Sequence, residues 1–296
     1  MLKISYNIPT MPELPEVETI RRDLSKLILG KTIAKVVLNK PKIVKSPAKE
    51  FIKVLTGNKI KKLGRRGKLL IAELAKGGWI LIHLKMTGQL IYRYGDKVIS
   101  GGHPEAFSID KLPNKYSHII LTFADKSQLF FNDMRQFGYM KLVDKKELDR
   151  VLSSYGIEPL TKNFTLPNFQ KVLKNKTIAI KAVLLSQSHV SGIGNIYADE
   201  TCFMAGILPS RRAHKLRLDE ITRLHRACHV IIKKAVAKRG TTFRDYRDPS
   251  GDKGNYVKYL KVYGRGGEKC LRCKVNVLNK ARVAGRGTVF CKKCQK

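Results

Sequence analysis

Four cysteines near the carboxyl end stand in two pairs with metal-ligand spacing. Cys270 and Cys273 form one Cys-x2-Cys pair, and Cys291 and Cys294 form another after 17 intervening residues. Each pair offers two thiolates to one ion, and a hairpin of this length brings the pairs together, as in tetrahedral structural zinc sites. Disulfides or unrelated thiols are the alternatives, but disulfides are rare in the cytoplasm, where we expect this protein. We therefore predict one structural zinc ion that folds the short tail and leaves no coordination position for water.

A glutamate-rich segment near the amino end is the second candidate for chemistry. Residues 11–18 read MPELPEVE, so three carboxylates fall within six residues of a chain that is otherwise short of them. A carboxyl group can transfer protons when its environment tunes its pKa. Acidic residues at a helix start also complement the helix dipole, however, and proline is favoured in a first turn. Composition alone therefore favours a structural role for this segment.

The charge of the chain indicates a polyanionic partner. The sequence has 59 Lys and Arg against 23 Asp and Glu, a formal net charge of +36. Neutralising phosphates releases condensed counterions, so this excess favours nucleic acid over the alternative of general solubility. The basic residues are spread along the chain, which indicates a broad DNA-facing surface. We find no membrane-length apolar run, secretory signal or basic amphipathic helix, and so expect a soluble, cytoplasmic protein with no membrane partner.

The elements that must position these groups change along the chain. Residues 12–30 are predicted to form a helix, because Val17, Ile20 and Leu24 recur at helical spacing and Gly30 is a stop signal. Residues 168–238 are also predicted to be helical, and 94–115 to be an exposed loop. Short runs rich in Val, Ile, Leu and Phe predict strands between them, which favours a β-sandwich or barrel. The predicted strands are 32–38, 59–65, 68–74, 79–84, 89–93, 118–123, 127–132 and 139–143.

Several segments, in order along essentially the whole chain, resemble the bacterial formamidopyrimidine-DNA glycosylase family. They are MPELPEVE at 11–18, LGRRGK at 63–68, HLKMTG at 83–88, GIGNIYADE at 192–200 and the two Cys-x2-Cys pairs. The resemblance implies an α+β multidomain fold: an N-terminal two-layer β-sandwich with a leading helix, a helix-two-turn-helix domain and a C-terminal zinc-finger β-hairpin. It also implies an enzyme that flips oxidised purines, such as 8-oxoguanine and formamidopyrimidines, out of damaged double-stranded DNA and excises them. The abasic strand would then be cleaved by β,δ-elimination.

Four catalytic residues follow from the resemblance. Pro12 matches the family's nucleophile, a proline at the mature amino terminus. A free terminal amine has a pKa of about 8, so part of it is neutral at pH 7 and can attack the sugar C1′ to form an iminium, whereas an in-chain proline nitrogen is an amide. Glu13 matches the general acid/base and Glu16 the residue that orients the amine. Lys68 matches a lysine beside the damaged nucleotide and its phosphate; without the resemblance it would be interpreted as a surface lysine at a strand start.

The sequence departs from the family pattern in two places. Ten residues precede Met11, and if they remain, Pro12 cannot react. We expect residues 1–10 to be a non-native or processed extension, with the true start at Met11 and Met11 then removed. The spacing inside the cysteine module is one residue longer than in the family pattern, which a loop insertion would absorb.

The resemblance also implies a set of DNA contacts. Met86, Arg135 and Phe137 match residues that fill the void left by a flipped base. Arginine can bond to the orphaned partner base, and Met and Phe can wedge between bases, although by spacing alone Met86 and Phe137 would more often be core. Asn195 and Arg286 match residues that grip phosphates, with an exposed turn arginine as the alternative for Arg286. His83 is a further expected DNA contact, and residues 244–256 resemble a loop that covers the lesion.

These interpretations define an expected domain organisation and two rival functions. After residues 1–10, we expect a catalytic β-sandwich domain at 11–145, a linker at 146–165, a helix-two-turn-helix domain with the lesion-covering loop at 166–258 and the zinc finger at 259–296, in a monomer. The first rival is an enzyme resembling endonuclease VIII that removes oxidised pyrimidines; the Glu-Leu-Pro-Glu start and the long loop after Gly240 favour the purine enzyme. The second is a non-catalytic zinc-finger DNA-binding protein, which would leave Pro12, Glu13, Glu16 and Lys68 unexplained.

Overall fold

The computed structural model describes residues 11–102, 111–241 and 256–296. Within these ranges the chain divides into two compact units, one of residues 11–153 with 238–241 and the other of residues 154–237 with 256–296. The helices of the described residues are α1 (Leu14–Ile28), α2 (Ala48–Leu55), α3 (Lys145–Ser153), α4 (Leu166–Leu173), α5 (Ile180–Leu185), α6 (Asn195–Ala205) and α7 (Leu218–Ala237). The strands are β1 (Ile33–Leu38), β2 (Ile60–Arg66), β3 (Leu69–Leu74), β4 (Trp79–His83), β5 (Gly88–Tyr94), β6 (Lys97–Gly102), β7 (Ser117–Phe123), β8 (Gln128–Asp133), β9 (Tyr139–Val143), β10 (Asn279–Val283) and β11 (Arg286–Phe290).

The first unit contains the predicted sandwich. A five-stranded sheet has the order β1-β7-β8-β5-β6 and a four-stranded sheet has the order β2-β3-β4-β9, and all of their paired strands are antiparallel. Apolar side chains of both sheets, of α1 and of α2 form one buried cluster. The face of α1 that the periodicity predicts, including Val17, Ile20 and Leu24, is buried in this cluster. The two-layer architecture with a leading helix is therefore confirmed.

One predicted loop contains a strand. β6 lies within the segment 94–115, where we expected an exposed loop, and it pairs with β5 as the outermost strand of its sheet. The apolar residues of β6 are only Val98 and Ile99, so the sequence signal for a strand is weak. An edge strand of this kind is ordered mainly by pairing with its neighbour. Helix α2 was likewise absent from the sequence prediction.

Two connections cross between the sheets at the same end of the sandwich. The first, residues 84–87, links β4 to β5, and the second, residues 134–138, links β8 to β9. In the sheet registers, Gly88 lies opposite Asp133 and His83 lies opposite Tyr139. Each crossing loop therefore begins and ends at strands that are neighbours of those of the other loop. The two loops lie side by side, although Thr87 and Asp133 are 46 positions apart in the sequence.

The second unit joins helices to a two-stranded hairpin. Helix α6 packs against α5, α7 and β11 and is buried on nearly every side, with Tyr197, Ala198 and Cys202 inaccessible to solvent. The β10–β11 hairpin belongs to a small cluster in which Phe203, Val262 and Leu278 pack against the cysteines of the tail. None of the helices in the described residues is long and apolar enough to span a membrane.

Candidate active site, DNA-contact loops and zinc centre

The start of α1 buries the first carboxylates of the glutamate-rich segment. Pro12 is buried and directly precedes Glu13, the N-cap of the helix. Glu13 is 2 % exposed and Glu16 is 1 % exposed. The Glu13 backbone N–H donates to Glu16 Oε2 at 3.0 Å. Glu13 and Glu16 thus form a capping box, a structural role that leaves both buried carboxyl groups available for a chemical one.

Glu16 also binds the backbone at residue 241. Its Oε1 accepts hydrogen bonds from the Thr241 N–H at 2.8 Å and from Thr241 Oγ1 at 3.1 Å. The preceding Gly240 has a φ of +80°, and a Cβ at that position would lie 2.4 Å from Glu16 Oε1. Glycine is therefore required twice, for its backbone conformation and for the close approach of the carboxylate. Both oxygens of Glu16 accept hydrogen bonds from neighbouring backbone, which suits a residue that fixes geometry.

Lys68 lies in the β2–β3 turn and is only 8 % exposed. The turn is held to α1 by Arg65, whose Nε lies 3.2 Å from Glu18 Oε2 and whose Nη1 donates to the Gly67 carbonyl at 2.9 Å. Burial raises the pKa of Glu18, but hydrogen bonds from Arg21 and Arg22 and the charge of Arg65 outweigh it and lower the pKa to about 2. Glu18 thus stays ionised and ties the lysine-bearing turn to α1. The burial of Lys68 contradicts its interpretation as a surface lysine.

His83 is a neutral hydrogen-bond donor at the end of β4. Its half-buried ring accepts the Lys85 N–H at Nδ1, 3.0 Å away, so the proton of the neutral ring lies on Nε2. Burial of the ring, with the charges of Lys85 and Lys68, lowers the pKa of His83 to about 3. At neutral pH this side chain can donate one hydrogen bond to a phosphate without adding charge.

The two crossing loops carry the three expected void-filling residues. Arg135 Nη1 lies 3.2 Å from the Met86 sulfur, and the Arg135 guanidinium lies 4.8 Å from the centre of the Phe137 ring. Phe137 is 54 % exposed at the loop surface, so the core interpretation is wrong for this residue; Met86 is half-buried. An exposed aromatic ring that packs against a guanidinium is suited to insertion between stacked bases.

Sequence reasoning missed the residue that organises these loops. Asp133 is fully buried at the end of β8, and its carboxylate accepts hydrogen bonds from Thr87 Oγ1 and from the backbone N–H of Arg135 and Gly138. The only signal in the sequence was a carboxylate at the end of an apolar strand, Leu-Phe-Phe-Asn-Asp. That signal does not identify its distant partner Thr87.

In the second unit, the structure brings the two expected phosphate-binding residues together. Asn195 begins α6 after Gly194, and its Nδ2 donates to the Gly287 carbonyl at 3.1 Å. Gly287 directly follows Arg286, which is exposed at the start of β11 after a turn in which Ala284 and Gly285 have φ values of 52° and 70°. A helix N-terminus beside an exposed arginine presents N–H groups and a guanidinium to one anion.

A buried ion pair, also missed from the sequence, fixes this hairpin. Lys181 of α5 and Asp199 of α6 are both fully buried, with Nζ 2.6 Å from Oδ1. Lys181 Nζ also donates to the Gly287 carbonyl at 2.9 Å and to Thr288 Oγ1 at 2.8 Å, and Asp199 Oδ2 accepts the Val289 N–H at 3.0 Å. The signal that could have found Lys181 is a lone charge within the apolar run Ile-Lys-Ala-Val-Leu-Leu.

Removal of the lysine from this pair is expected to destabilise the second unit. In Lys181→Met the carboxylate of Asp199 stays buried without its cation, which costs about 3–5 kcal/mol in the free energy of unfolding. Denaturant melts of the wild-type and variant proteins measure the loss. The double variant Lys181→Met/Asp199→Asn leaves no buried charge and should recover most of it. A loss below about 1 kcal/mol in the single variant would show that the pair is no stronger than a surface ion pair.

The four cysteine sulfurs of the tail lie close enough together to bind one metal ion. All four lie within 4.8 Å of one another, and the Cys270–Cys294 and Cys273–Cys291 Sγ distances are both 3.8 Å. Zinc with four sulfur ligands at its usual bond length places them about 3.8 Å apart, whereas a disulfide brings two sulfurs to about 2 Å. The cysteines are not disulfide-bonded, so the disulfide alternative is wrong and the prediction of one zinc ion is confirmed.

The remaining predicted feature of the site lies mostly outside the described residues. The loop at 244–256, expected to cover the lesion, falls there apart from Tyr256, which begins a 3₁₀ turn at Tyr256–Tyr259.

Comparisons with known proteins cover nearly the whole chain. The chain matches three family models. Residues 11–140 match the formamidopyrimidine-DNA glycosylase N-terminal domain, residues 155–246 match the formamidopyrimidine-DNA glycosylase H2TH domain, and residues 267–296 match the zinc finger found in FPG and IleRS. A formamidopyrimidine-DNA glycosylase of Pelotomaculum thermopropionicum is 40 % identical over 289 residues, which is 97 % of this chain and 99 % of that protein.

Solved structures give the same result. A mutant of the Lactococcus lactis FPG, in complex with Fapy-dG-containing DNA, superposes with a TM-score of 0.84 at 35 % identity over 96 % of this chain and 100 % of that one. The wild-type Lactococcus lactis protein in complex with DNA containing an oxidised pyrimidine gives 0.83 at 35 % identity over 96 % and 100 %. This extent of likeness over all three predicted regions confirms the expected α+β multidomain fold. The chain belongs to the formamidopyrimidine-DNA glycosylase family and is a DNA glycosylase of base-excision repair with one structural zinc ion.

Proposed function

We propose that this protein excises oxidised purines, including 8-oxoguanine and formamidopyrimidines, from double-stranded DNA and then cleaves the abasic strand through a Schiff base on Pro12. The observation that carries the proposal is the start of α1, where the buried Pro12 directly precedes Glu13, and Glu13 and Glu16 are both almost wholly buried. Once Pro12 is the first residue, its secondary amine can attack C1′ as the bond from C1′ to the base breaks. The positive end of the helix dipole disfavours the protonated amine and so favours the nucleophilic form.

The other catalytic residues have separate roles in this proposal. Glu13 transfers protons to and from the opening sugar ring, because a buried carboxyl group next to the reacting amine is suited to general acid and base catalysis. Glu16 orients the amine, and its hydrogen bonds to the Glu13 and Thr241 backbone support that role. Lys68, on a turn tied to α1, lies beside the damaged nucleotide and its phosphate.

DNA binding divides into positioning and opening of the duplex. His83, Asn195 and Arg286 bind phosphates, which fixes the register of the protein without reading sequence. Met86, Arg135 and Phe137 occupy the space of the flipped base, which offsets unstacking that costs a few kcal/mol. The exposure of Phe137 and the contact between Arg135 and Met86 support this assignment.

The expected oligomeric state and compartment also belong to the proposal. We propose a monomer, since one chain supplies every residue of the active site named above. A cytoplasmic location agrees with a cysteine cluster built to hold zinc as thiolates, because reducing compartments preserve thiols.

A second candidate substrate class has a specific observation in its favour. The similar Lactococcus lactis protein has been solved with DNA that contains an oxidised pyrimidine. The test compares protein that begins at Pro12 on matched duplexes holding 8-oxoguanine opposite cytosine or thymine glycol opposite adenine. We expect single-turnover excision of 8-oxoguanine to be faster by about tenfold or more, because pocket hydrogen bonds discriminate strongly between bases. Faster excision of thymine glycol would reassign the protein to oxidised pyrimidines.

A further inference from the structure

The loops that carry the void-filling residues share one buried carboxylate. Asp133 ends β8 and has no solvent exposure. Its backbone is fixed as well, since its carbonyl lies 2.6 Å from Nε2 of the buried His118 on β7 and its N–H donates to the Tyr116 carbonyl at 3.2 Å. The carboxylate therefore projects from a rigid point of the five-stranded sheet.

Each oxygen of this carboxylate holds a different part of the two loops. Oδ1 accepts hydrogen bonds from Thr87 Oγ1 in the first loop and from the Arg135 N–H, at 3.2 Å, in the second. Oδ2 accepts the Gly138 N–H at 2.7 Å, where the second loop ends. Thr87 Oγ1 accepts the same Arg135 N–H at 3.0 Å, so the hydroxyl bridges the loops directly. Asp133 and Thr87 thus connect the backbone of Arg135 to the residue that follows Met86.

The close packing around this carboxylate makes its position specific. A Cβ at Gly138 would lie 3.0 Å from Asp133 Oδ2 and 2.8 Å from the Phe131 ring, and a Cβ at Gly88 would lie 2.4 Å from the Leu84 carbonyl oxygen. Lys85 and Gln136 have φ values of 52° and 58°, so each loop also holds a residue in the left-handed region. Non-glycine residues occupy that region when surrounding contacts fix them, and Gln136 lies between Arg135 and Gly138, whose N–H groups both donate to Asp133.

We propose that Asp133 is a positioning residue that holds the two loops as one wedge, so that Met86, Arg135 and Phe137 enter the duplex together. The proposal rests on the proposed function, since it assigns those three side chains to the void left by the flipped base. Because Asp133 has no solvent exposure, it acts in this proposal through the two loops and not through a contact of its own with DNA. Without the hydrogen bonds of Asp133, all three side chains are still present but the two loops move independently. The step that becomes slower is the opening of the duplex.

The test uses four variants of the chain begun at Pro12. Asp133→Asn keeps the size of the side chain but cannot accept hydrogen bonds at both termini. Thr87→Val removes the hydroxyl, and Thr87→Ser keeps it as the conservative rescue. Phe137→Ala removes a wedge side chain outright and serves as the positive control. Duplex opening is followed by the fluorescence of 2-aminopurine next to 8-oxoguanine, and cleavage is measured on that duplex and on a single-stranded abasic oligonucleotide, which has no stack to open.

We expect Asp133→Asn and Thr87→Val each to slow duplex opening and excision by about tenfold. The rate of cleavage of the single-stranded substrate should fall by a factor at least several times smaller than the factor on the duplex. Thr87→Ser should behave as wild type on both substrates. Because the two residues share one hydrogen bond and both bind the Arg135 N–H, the loss in the double variant Thr87→Val/Asp133→Asn should be smaller than the product of the two single losses. Equal losses on both substrates, or no loss on either, would overturn the proposal. Failure of the wild-type protein to cleave either substrate would instead overturn the proposed function.

Discussion

Protein that begins at Pro12 is expected to be trapped on abasic DNA by borohydride, whereas protein that keeps residues 1–10 is expected to give no adduct. The iminium that borohydride reduces forms only from an amine, and in the longer chain the Pro12 nitrogen is an amide without an available lone pair. Strand cleavage through this route should fall by at least about a thousandfold in the longer protein, as for removal of a catalytic nucleophile.

Two controls separate chemistry from folding in this experiment. A chain that begins at Met11 and retains it also blocks the nitrogen with a single residue, so it should behave as the longer chain does. Binding of all three proteins to a duplex with an uncleavable abasic analogue shows whether each is folded. Intact mass spectrometry establishes the first residue of each sample. Efficient trapping by a protein shown to retain residues 1–10 would remove Pro12 as the nucleophile.

Loss of the zinc ion is expected to abolish tight DNA binding. Apart from the four cysteines, the hairpin's own cluster is formed mainly by Phe203, Val262 and Leu278, which is too small a core to fold a tail of this length. Structural zinc contributes about 10–16 kcal/mol to the folding of such modules. Without it, the β10–β11 register that places Arg286 and the Gly287 partner of Asn195 is lost.

The matched variants for this prediction are two cysteine substitutions. Cys273→Ala removes a predicted ligand, and Cys228→Ala removes a buried cysteine of α7 that lies outside the metal cluster. The first should release zinc and weaken DNA binding by about a hundredfold or more, since several phosphate contacts are lost together, and the second should retain both properties. Zinc content by metal analysis and Kd at fixed salt concentration are the measurements. Wild-type affinity in zinc-free protein would show that the metal does not order the DNA-binding hairpin.

The zinc ligands and the sandwich could be predicted because their signals are local. Two thiolates at Cys-x2-Cys spacing reach one ion whatever surrounds them, and 17 residues suffice for the hairpin that joins the pairs. Most strands of the sandwich were predicted to within one or two residues at each end, since their apolar runs are bounded by turn residues. The edge strand β6 lacked such a run and was missed.

The functional assignments of Pro12, Glu13 and Lys68 came from family resemblance, since composition and spacing favoured structural roles. The structure shows that Glu13 and Lys68 are buried, where a solvated helix start and a surface strand would leave them exposed, and their catalytic roles stay a prediction. Phe137 shows the opposite case. Its type and spacing favoured the core, but its place in a crossing loop leaves it exposed.

The amino-acid sequence by itself determined the metal site, the sandwich and the positions that match a known chemistry, because each depends on residues close together in the chain or on a motif read position by position. Only the tertiary structure decided how distant residues are coupled. Asp133 joins Thr87 across two crossing loops, and Lys181 joins Asp199 and the β11 hairpin. Such contacts depend on which strands and helices become neighbours, and a single buried charge carries no information in the sequence about the partner that the fold will bring to it.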